Sequence, residues 1–286
     1  MLKRHWMRLS ALGFLMAGLW VARTQNPPPA QPILVNKITD DLYMLEGPGI
    51  AGNVAVYLTS EGVILVDDKF ARNFDEIMAD VKKLSPLPVK YVLSTHQHGD
   101  HTGGHAKMLA ANAEIISQKN ARDNMVTLKM PGPARISFTD QASVFLGGKE
   151  VQMRYYGRGH TNGDAVVYFP ALRILHTGDL FFTGPRAPNV DYSAGGSIVD
   201  WTGTLDGVLK LDFDKAIPGH GPVSDKDGLR KWQAHIDAVR TRVRTMAREG
   251  KSEEDVKKTL MSDFGWLADA AGMRQVPGIM KELQTR

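Results

Sequence analysis

The chain has 286 residues, 43% of them hydrophobic, which is enough for one large domain or two small ones with a real core. Its formal charge of +4 is carried by Lys3, Arg4, Arg8 and Arg23, which precede the first acidic residue, Asp40; the remainder is neutral and argues against nucleic acid as a partner. It has no cysteine, which excludes disulfides, thiolate ligands or nucleophiles, and a lipoprotein anchor.

The four basic residues flank an apolar run over 9–22. A core of about fourteen residues suits a secretory signal better than a membrane span, which needs about twenty. Ala22 and Thr24 are small enough for the cleavage positions, so residues 1–24 are expected to be a signal peptide and Gln25 the mature N-terminus. Residues 25–32 are rich in proline and form a stiff spacer. The mature protein is therefore expected to be secreted or periplasmic, without membrane attachment.

Short strands are expected over 42–45, 53–59 and 63–66, the last ending in Asp67 and Asp68. A helix follows over 74–84, with Phe74, Ile77, Met78, Val81 and Leu84 on one face and a capping box of Asn73 and Glu76. Strand 89–93 closes a βαβ unit. Helices at 105–111 and 120–128 then enclose a strand at 114–117. The second half restarts with strands at 143–146, 151–156, 165–169 and 173–175. A helix over 198–209, capped by Ser197 with Asp200, precedes strand 215–217. From Ser224 the chain turns helical, since Leu229, Trp232, Ile236, Val239, Val243 and Met246 recur every three or four residues. Ser252 and Asp255 begin a further helix, and a last one lies near 279–284. Two β-rich halves with helices outside predict an α/β fold, a four-layer αββα sandwich. It would form one domain over 33–286, with extra C-terminal helices in 224–286.

The run 94–101, Ser-Thr-His-Gln-His-Gly-Asp-His, follows the apolar strand 89–93 and so sits where a strand gives way to a loop. Alternate residues near a strand end point the same way, which lets His96 and His98 converge on one ion. Asp100 and His101 are offset to serve a second. Imidazole and carboxylate are ligands that zinc accepts, with iron or manganese possible. His160, Asp179 and His220 each follow a strand and sit beside glycines that let backbone approach closely. Ligand sites in α/β sheets usually lie at such strand ends.

His96-x-His98-x-Asp100-His101, followed in order by His160, Asp179 and His220, resembles the metallo-β-lactamase-fold hydrolase superfamily over essentially the whole chain from about residue 33. The resemblance implies that His96, His98 and His160 bind a first zinc ion, that Asp100, His101 and His220 bind a second, and that Asp179 bridges them. A bridging aspartate is a mark of the glyoxalase II-like, lactonase-like and phosphodiesterase-like branches. Class B β-lactamases carry a cysteine or a non-ligating residue there. The expected activity is hydrolysis of an ester, lactone, thioester or amide bond of a small molecule, with Asp100 both a ligand and the residue that orients the nucleophile or shuttles its proton. A class B3-like β-lactamase, a phosphodiesterase and a non-catalytic metal-binding member are the alternatives.

Other residues carry weaker expectations. His176 reads as a buried structural group, His105 as an outer support of the cluster, and His235 as a surface residue. Tyr155 and Tyr156 read as packing residues, with donation to a substrate carbonyl as the alternative. Residues 181–196 begin just after Asp179 and are expected to set substrate choice; Phe181, Phe182 and Tyr192 read equally as lining an apolar pocket or anchoring the loop to the core, and contact of Arg186, the only basic residue there, with an acidic substrate group is the less favoured alternative. Ser197 lacks a G-x-S-x-G setting and is expected only to cap its helix.

Overall fold

The computed structural model describes residues 32–285 except 48, 50, 185 and 186. The expected signal peptide, the expected spacer up to residue 31 and Arg186 lie outside the described residues. Two sheets dominate. Strands β1 (Leu34–Lys37), β2 (Leu42–Glu46), β3 (Val54–Leu58), β4 (Val63–Val66), β5 (Val89–Ser94), β6 (Glu114–Gln118) and β7 (Ile136–Phe138) lie side by side in chain order. Pairing is antiparallel as far as β4 and parallel from β4 to β7. The second sheet holds β8 (Gln141–Leu146), β9 (Lys149–Tyr155), β10 (Ala165–Phe169), β11 (Ile174–His176), β12 (Lys215–Ile217) and β13 (Ser224–Asp225), also in chain order. Only β11 and β12 pair in parallel there.

Helices α1 (Phe74–Leu84), α2 (Gly99–Thr102), α3 (His105–Ala110) and α4 (Lys119–Thr127) accompany the first sheet. Helices α5 (Ile198–Leu209), α6 (Lys226–Arg248), α7 (Glu253–Phe264) and α8 (Val276–Thr285) follow in the second half. Period-two alternation along the strands sorts side chains into layers. Leu42, Met44, Ala55, Tyr57, Ile64 and Val66 face Val151, Met153, Ala165, Val167 and Phe169 across the space between the sheets. The intervening Val54, Val56, Val63 and Leu65 pack outward on Ile77 and Val81 of α1 and Met108 of α3. On the far side, Val166 and Tyr168 pack against α5, α6 and α8. Three cores between four layers make the expected αββα sandwich.

The structure adds strands that the sequence pattern does not signal, and it corrects two local expectations. Strand β1 was not anticipated because its residues are mostly exposed and show no alternation. Strand β7 is too short to display a period. The histidine run does not stay a loop: His98 caps α2, which carries Asp100 and His101. The capping box at α1 does not form, because Asn73 is itself in helical conformation at the end of a 3₁₀ turn. Glu76 instead accepts the Ile33 amide at 2.8 Å, tying down the edge of the domain.

The C-terminal helices lock the loop that follows Asp179. The indoles of Trp201 and Trp232 both donate to the Leu180 carbonyl, at 3.1 and 2.9 Å. Ser197 caps α5 as expected, accepting from the Asp200 amide. Glu282 of α8 accepts from the Ile198 amide and the Tyr192 hydroxyl, both at 3.0 Å, and from the Ser197 hydroxyl. One carboxylate thus holds a helix N-terminus and the 181–196 loop together. Glu282→Ala is expected to lower folding stability by about 2 kcal/mol, with Glu282→Gln milder, in paired denaturant melts.

Candidate metal centre

Each predicted ligand reaches the site from the C-terminal end of a strand. The segment after β5 carries His96 and His98 and then α2, β9 leads to the turn with His160, β11 leads to Asp179, and β12 leads to His220. All seven come together. His96 Nε2, His98 Nδ1, His160 Nε2 and an Asp179 oxygen form one group, and Asp100, His101 and His220 a second; either could hold a metal ion. Asp179 faces both. Its Oδ2 lies 3.4 Å from His160 Nε2 and 3.9 Å from His96 Nε2. Its Oδ1 lies 3.1 Å from His101 Nε2 and 3.4 Å from His220 Nε2. Asp100 Oδ2 completes the second group, 3.5 Å from His101 Nε2 and 3.3 Å from His220 Nε2.

Groups outside the centre decide which nitrogen of each ring faces inward. The Asp67 carboxylate can only accept, so His101 donates from Nδ1 at 2.8 Å and turns the lone pair of Nε2 to the centre. His98 donates from Nε2 to Asp191 at 2.8 Å, leaving Nδ1 as its inward lone pair. His160 donates from Nδ1 to the Asn189 carbonyl. Thr95 Oγ1 gives its own proton to Asp67 at 2.8 Å, so at 3.1 Å it accepts from His96 Nδ1. His220 Nδ1 has no partner among the described residues; its ring rests against Phe182 at 5.7 Å.

Inward lone pairs consequently face one another, His98 Nδ1 lying 2.8 Å from His160 Nε2 and 3.2 Å from His96 Nε2. His101 Nε2 and Asp179 Oδ1 are buried without any hydrogen-bond partner. Such crowding is repulsive unless a cation sits among the nitrogens, so the donor set fits divalent metal. The protonation tendencies of His96 and His160 agree, whereas at His98, His101 and His220 burial is outweighed by the neighbouring carboxylates, which favour positive charge that a metal ion would supply instead. Burial holds His96 well below the usual imidazole range and His160 at about 4. Burial opposes the charge on Asp179, but His101 and His220 outweigh it and keep the carboxylate ionised.

Backbone makes room for these contacts. A Cβ on Gly219 would lie 2.0 Å from Asp179 Oδ1. The 218–221 turn is held there by Asn53, whose side chain donates to the Pro218 and Gly221 carbonyls at 2.9 and 2.8 Å.

Several supporting residues escaped sequence reasoning. Asp67 takes a left-handed φ of 61° and reaches both Thr95 and His101. Two adjacent acids at the end of a buried strand, next to the strand bearing the cluster, were the signal available. Asp68 binds His105 Nδ1 at 2.8 Å, so His105 is an outer support as expected. Lys69 is fully buried and donates to the Leu45 and Gly52 carbonyls; burial lowers its pKa to about 7. Asp191 lies in the loop expected to control substrate, yet its observed work is to orient His98. Asn189 acts through its carbonyl, which leaves no trace in sequence.

His176 is buried and accepts from the Gly178 amide at 3.2 Å, away from both ligand groups. His235 is not a free surface residue: it stacks on Trp232 at 5.7 Å and meets Phe264 edge-on. Tyr155 donates to the Asn162 carbonyl, and Tyr156 packs against the outer core. Phe181 is buried against Trp232. Phe182 also meets the His160 ring, and Tyr192 is bound to Glu282. The centre opens into a groove of about 700 Å³, lined by His98, Asp100, Asp179 and His220 together with Phe70, Phe182, Ala187, Leu267 and Arg274.

Two packed sheets between helices, with seven histidine and aspartate donors converging at their strand ends, define an αββα protein with a metal-type active centre. The family model described as the metallo-β-lactamase superfamily matches residues 47–220, and the chain belongs to that superfamily. It is a metal-dependent hydrolase. It is 25% identical over 239 residues to a type 2 metallo-β-lactamase of Elizabethkingia meningoseptica, covering 80% of this chain and 93% of that one. With the metallo-β-lactamase IND-1 of Chryseobacterium indologenes it shares 29% identity over 195 residues, 64% of this chain and 80% of the relative. The solved metallo-β-lactamase of Pontibacter korlensis superposes with a TM-score of 0.64 at 21% identity, covering 72% of this chain and 99% of its own. No helix among the described residues is long and apolar enough to cross a membrane.

Two predictions arise. Gly219→Ala should displace Asp179 and weaken metal retention by about tenfold or more, read by metal analysis after dialysis. Lys69 binds fewer protons folded than unfolded between pH 7 and its ordinary value of 10.5. Its contribution to stability should therefore rise with pH across that window. Chelated wild-type protein should gain stability relative to Lys69→Met from pH 7 to pH 10; a constant difference would contradict this.

Proposed function

We propose that the chain is an exported dinuclear zinc hydrolase that cleaves an ester, lactone, thioester or amide bond of a small molecule. The observation that carries this reading is the set of inward, mutually repelling lone pairs joined by one carboxylate that faces both groups. His96, His98 and His160 would hold one ion, Asp100, His101 and His220 the other, and Asp179 would bridge. Iron or manganese would suit the same donors. When bound, two such ions acidify a shared water and polarise the carbonyl of the scissile bond.

The chain's own residues supply the rest. Asp179 is only 6% exposed and is committed to both groups, whereas Asp100 is 22% exposed and lines the groove. Asp100 would therefore orient the attacking water, take its proton and pass it to the leaving group. Phe182 and Ala187 form an apolar wall beside the donors and exclude bulk water from the reacting carbonyl. Serine, threonine and lysine do not occur among the described residues lining the groove, which supports water rather than a side chain as nucleophile. Residues 1–24 would be the export signal, 25–32 a spacer, and 33–286 the hydrolase domain.

A second reading is favoured by the relatives, which are named metallo-β-lactamases: the bond cleaved would be the amide of a β-lactam ring. Asp179 weighs against it, because by the resemblance class B enzymes place cysteine or a non-ligating residue there. The test is a panel on zinc-loaded protein comprising a chromogenic cephalosporin, an acyl-homoserine lactone, a thioester and a bis-aryl phosphate. Turnover of a carboxyl-type substrate with two zinc ions per chain, reduced at least about 100-fold by Asp100→Asn, is expected. Equal activity in that variant would refute the proposed role, and preference for the phosphodiester would overturn the bond assignment.

A further inference from the structure

The family match ends at residue 220, yet one wall of the metal groove comes from beyond it. Leu267, Ala270, Ala271 and Arg274 approach the donors from the segment between α7 and α8. That segment is seated firmly. A Cβ on Gly272 would lie 2.4 Å from the Pro188 carbonyl oxygen and 2.7 Å from the Ala187 side chain, so the 3₁₀ turn Ala271–Gln275 rests directly on the 181–196 loop. Leu267 is 59% exposed although it is a large apolar residue beside the groove. Arg274 is exposed, and among the described residues no carboxylate pairs with it.

Charge in the groove is otherwise carried by Asp100, Asp179 and the imidazoles. Among the described lining residues, Arg274 is the one permanently cationic side chain. A guanidinium that no described carboxylate neutralises, on a turn packed against the 181–196 loop and beside apolar side chains, matches a carboxylate on a ligand with an apolar body. We propose that Arg274 is a specificity-determining residue that receives a carboxylate of the substrate while Leu267 and Phe182 cover its apolar part. The preferred substrates are then small acids whose scissile carbonyl and free carboxylate are held at two points of one groove. This inference rests on the hydrolase reading for its reaction, but not for its binding preference.

The test uses zinc-loaded full-length protein and a chromogenic cephalosporin as the free acid and as its methyl ester. Arg274→Ala should lower the acid-to-ester ratio of kcat/KM by about tenfold or more, the loss falling on KM rather than kcat, with partial recovery in Arg274→Lys. Circular dichroism and metal analysis establish that the variants are folded and loaded. An unchanged ratio would overturn the proposal and leave the hydrolase reading intact. If the wild-type protein turns over neither compound nor any other member of the panel, the hydrolase reading fails. Whenever neither cephalosporin is turned over, calorimetric binding of acid and ester decides the role of Arg274: a preference for the acid that is lost in Arg274→Ala supports it, and equal binding overturns it.

Discussion

The arrangement of this molecule depends on a single electrostatic constraint, which is that imidazole lone pairs must be held face to face in a buried space. Neutral imidazole rings would avoid that geometry by rotating or by sharing protons. Here four of the five rings cannot rotate away, because each has its other nitrogen committed outward to Asp67, Asp191, Thr95 or the Asn189 carbonyl. The seven inward donors are thus only the inner half of the site. The outer half sets the tautomers, and it is spread over the end of β4, the segment after β5 and the loop that follows Asp179.

That distribution explains the work done by the rest of the fold. The two sheets bring strand ends to one rim, but strand ends alone do not fix a ring to within a few tenths of an ångström. Fine placement comes from polar contacts that cross between elements: Asp67 from β4 to the segment after β5, Asn53 to the His220 turn, and the two tryptophans to Leu180. Glu282 extends the chain of support to α8, since it holds Tyr192 within the loop that presents Asn189 and Asp191. The C-terminal helices therefore act on the centre from outside while Leu267 and Arg274 act on the groove.

Much of this was legible from sequence, for physical reasons that also mark its limits. Period-two and period-3.6 patterns report burial on one face, so β3, β4, β5, β10 and α6 could be placed, whereas the exposed edge β1 could not. The candidate ligands were legible because histidine and aspartate beside glycine at strand ends are few and chemically distinctive. Their supports were less so. Asp67, Lys69 and Asp191 are ordinary residue types whose roles come from contacts with residues remote in sequence. Asn73 shows the reverse error: a local pattern that reads as a cap was overridden by a preceding 3₁₀ turn and by Glu76 bonding across the domain to Ile33.

Charge balance connects the outer supports to the proposed chemistry. Buried charge is costly unless it is compensated nearby. Two divalent ions would bring four positive charges, and Asp100, Asp179, Asp67 and Asp191 answer with four negative ones, two as ligands and two through the imidazoles they bind. Placing half the negative charge one ring away would leave each ion more electrophilic than four direct carboxylates would. An Asp179 that touches both groups divides its charge between them, which a neutral or singly committed ligand at that position would not do. The same balance leaves Arg274 as the uncompensated charge at the groove wall, and an acidic substrate would complete it.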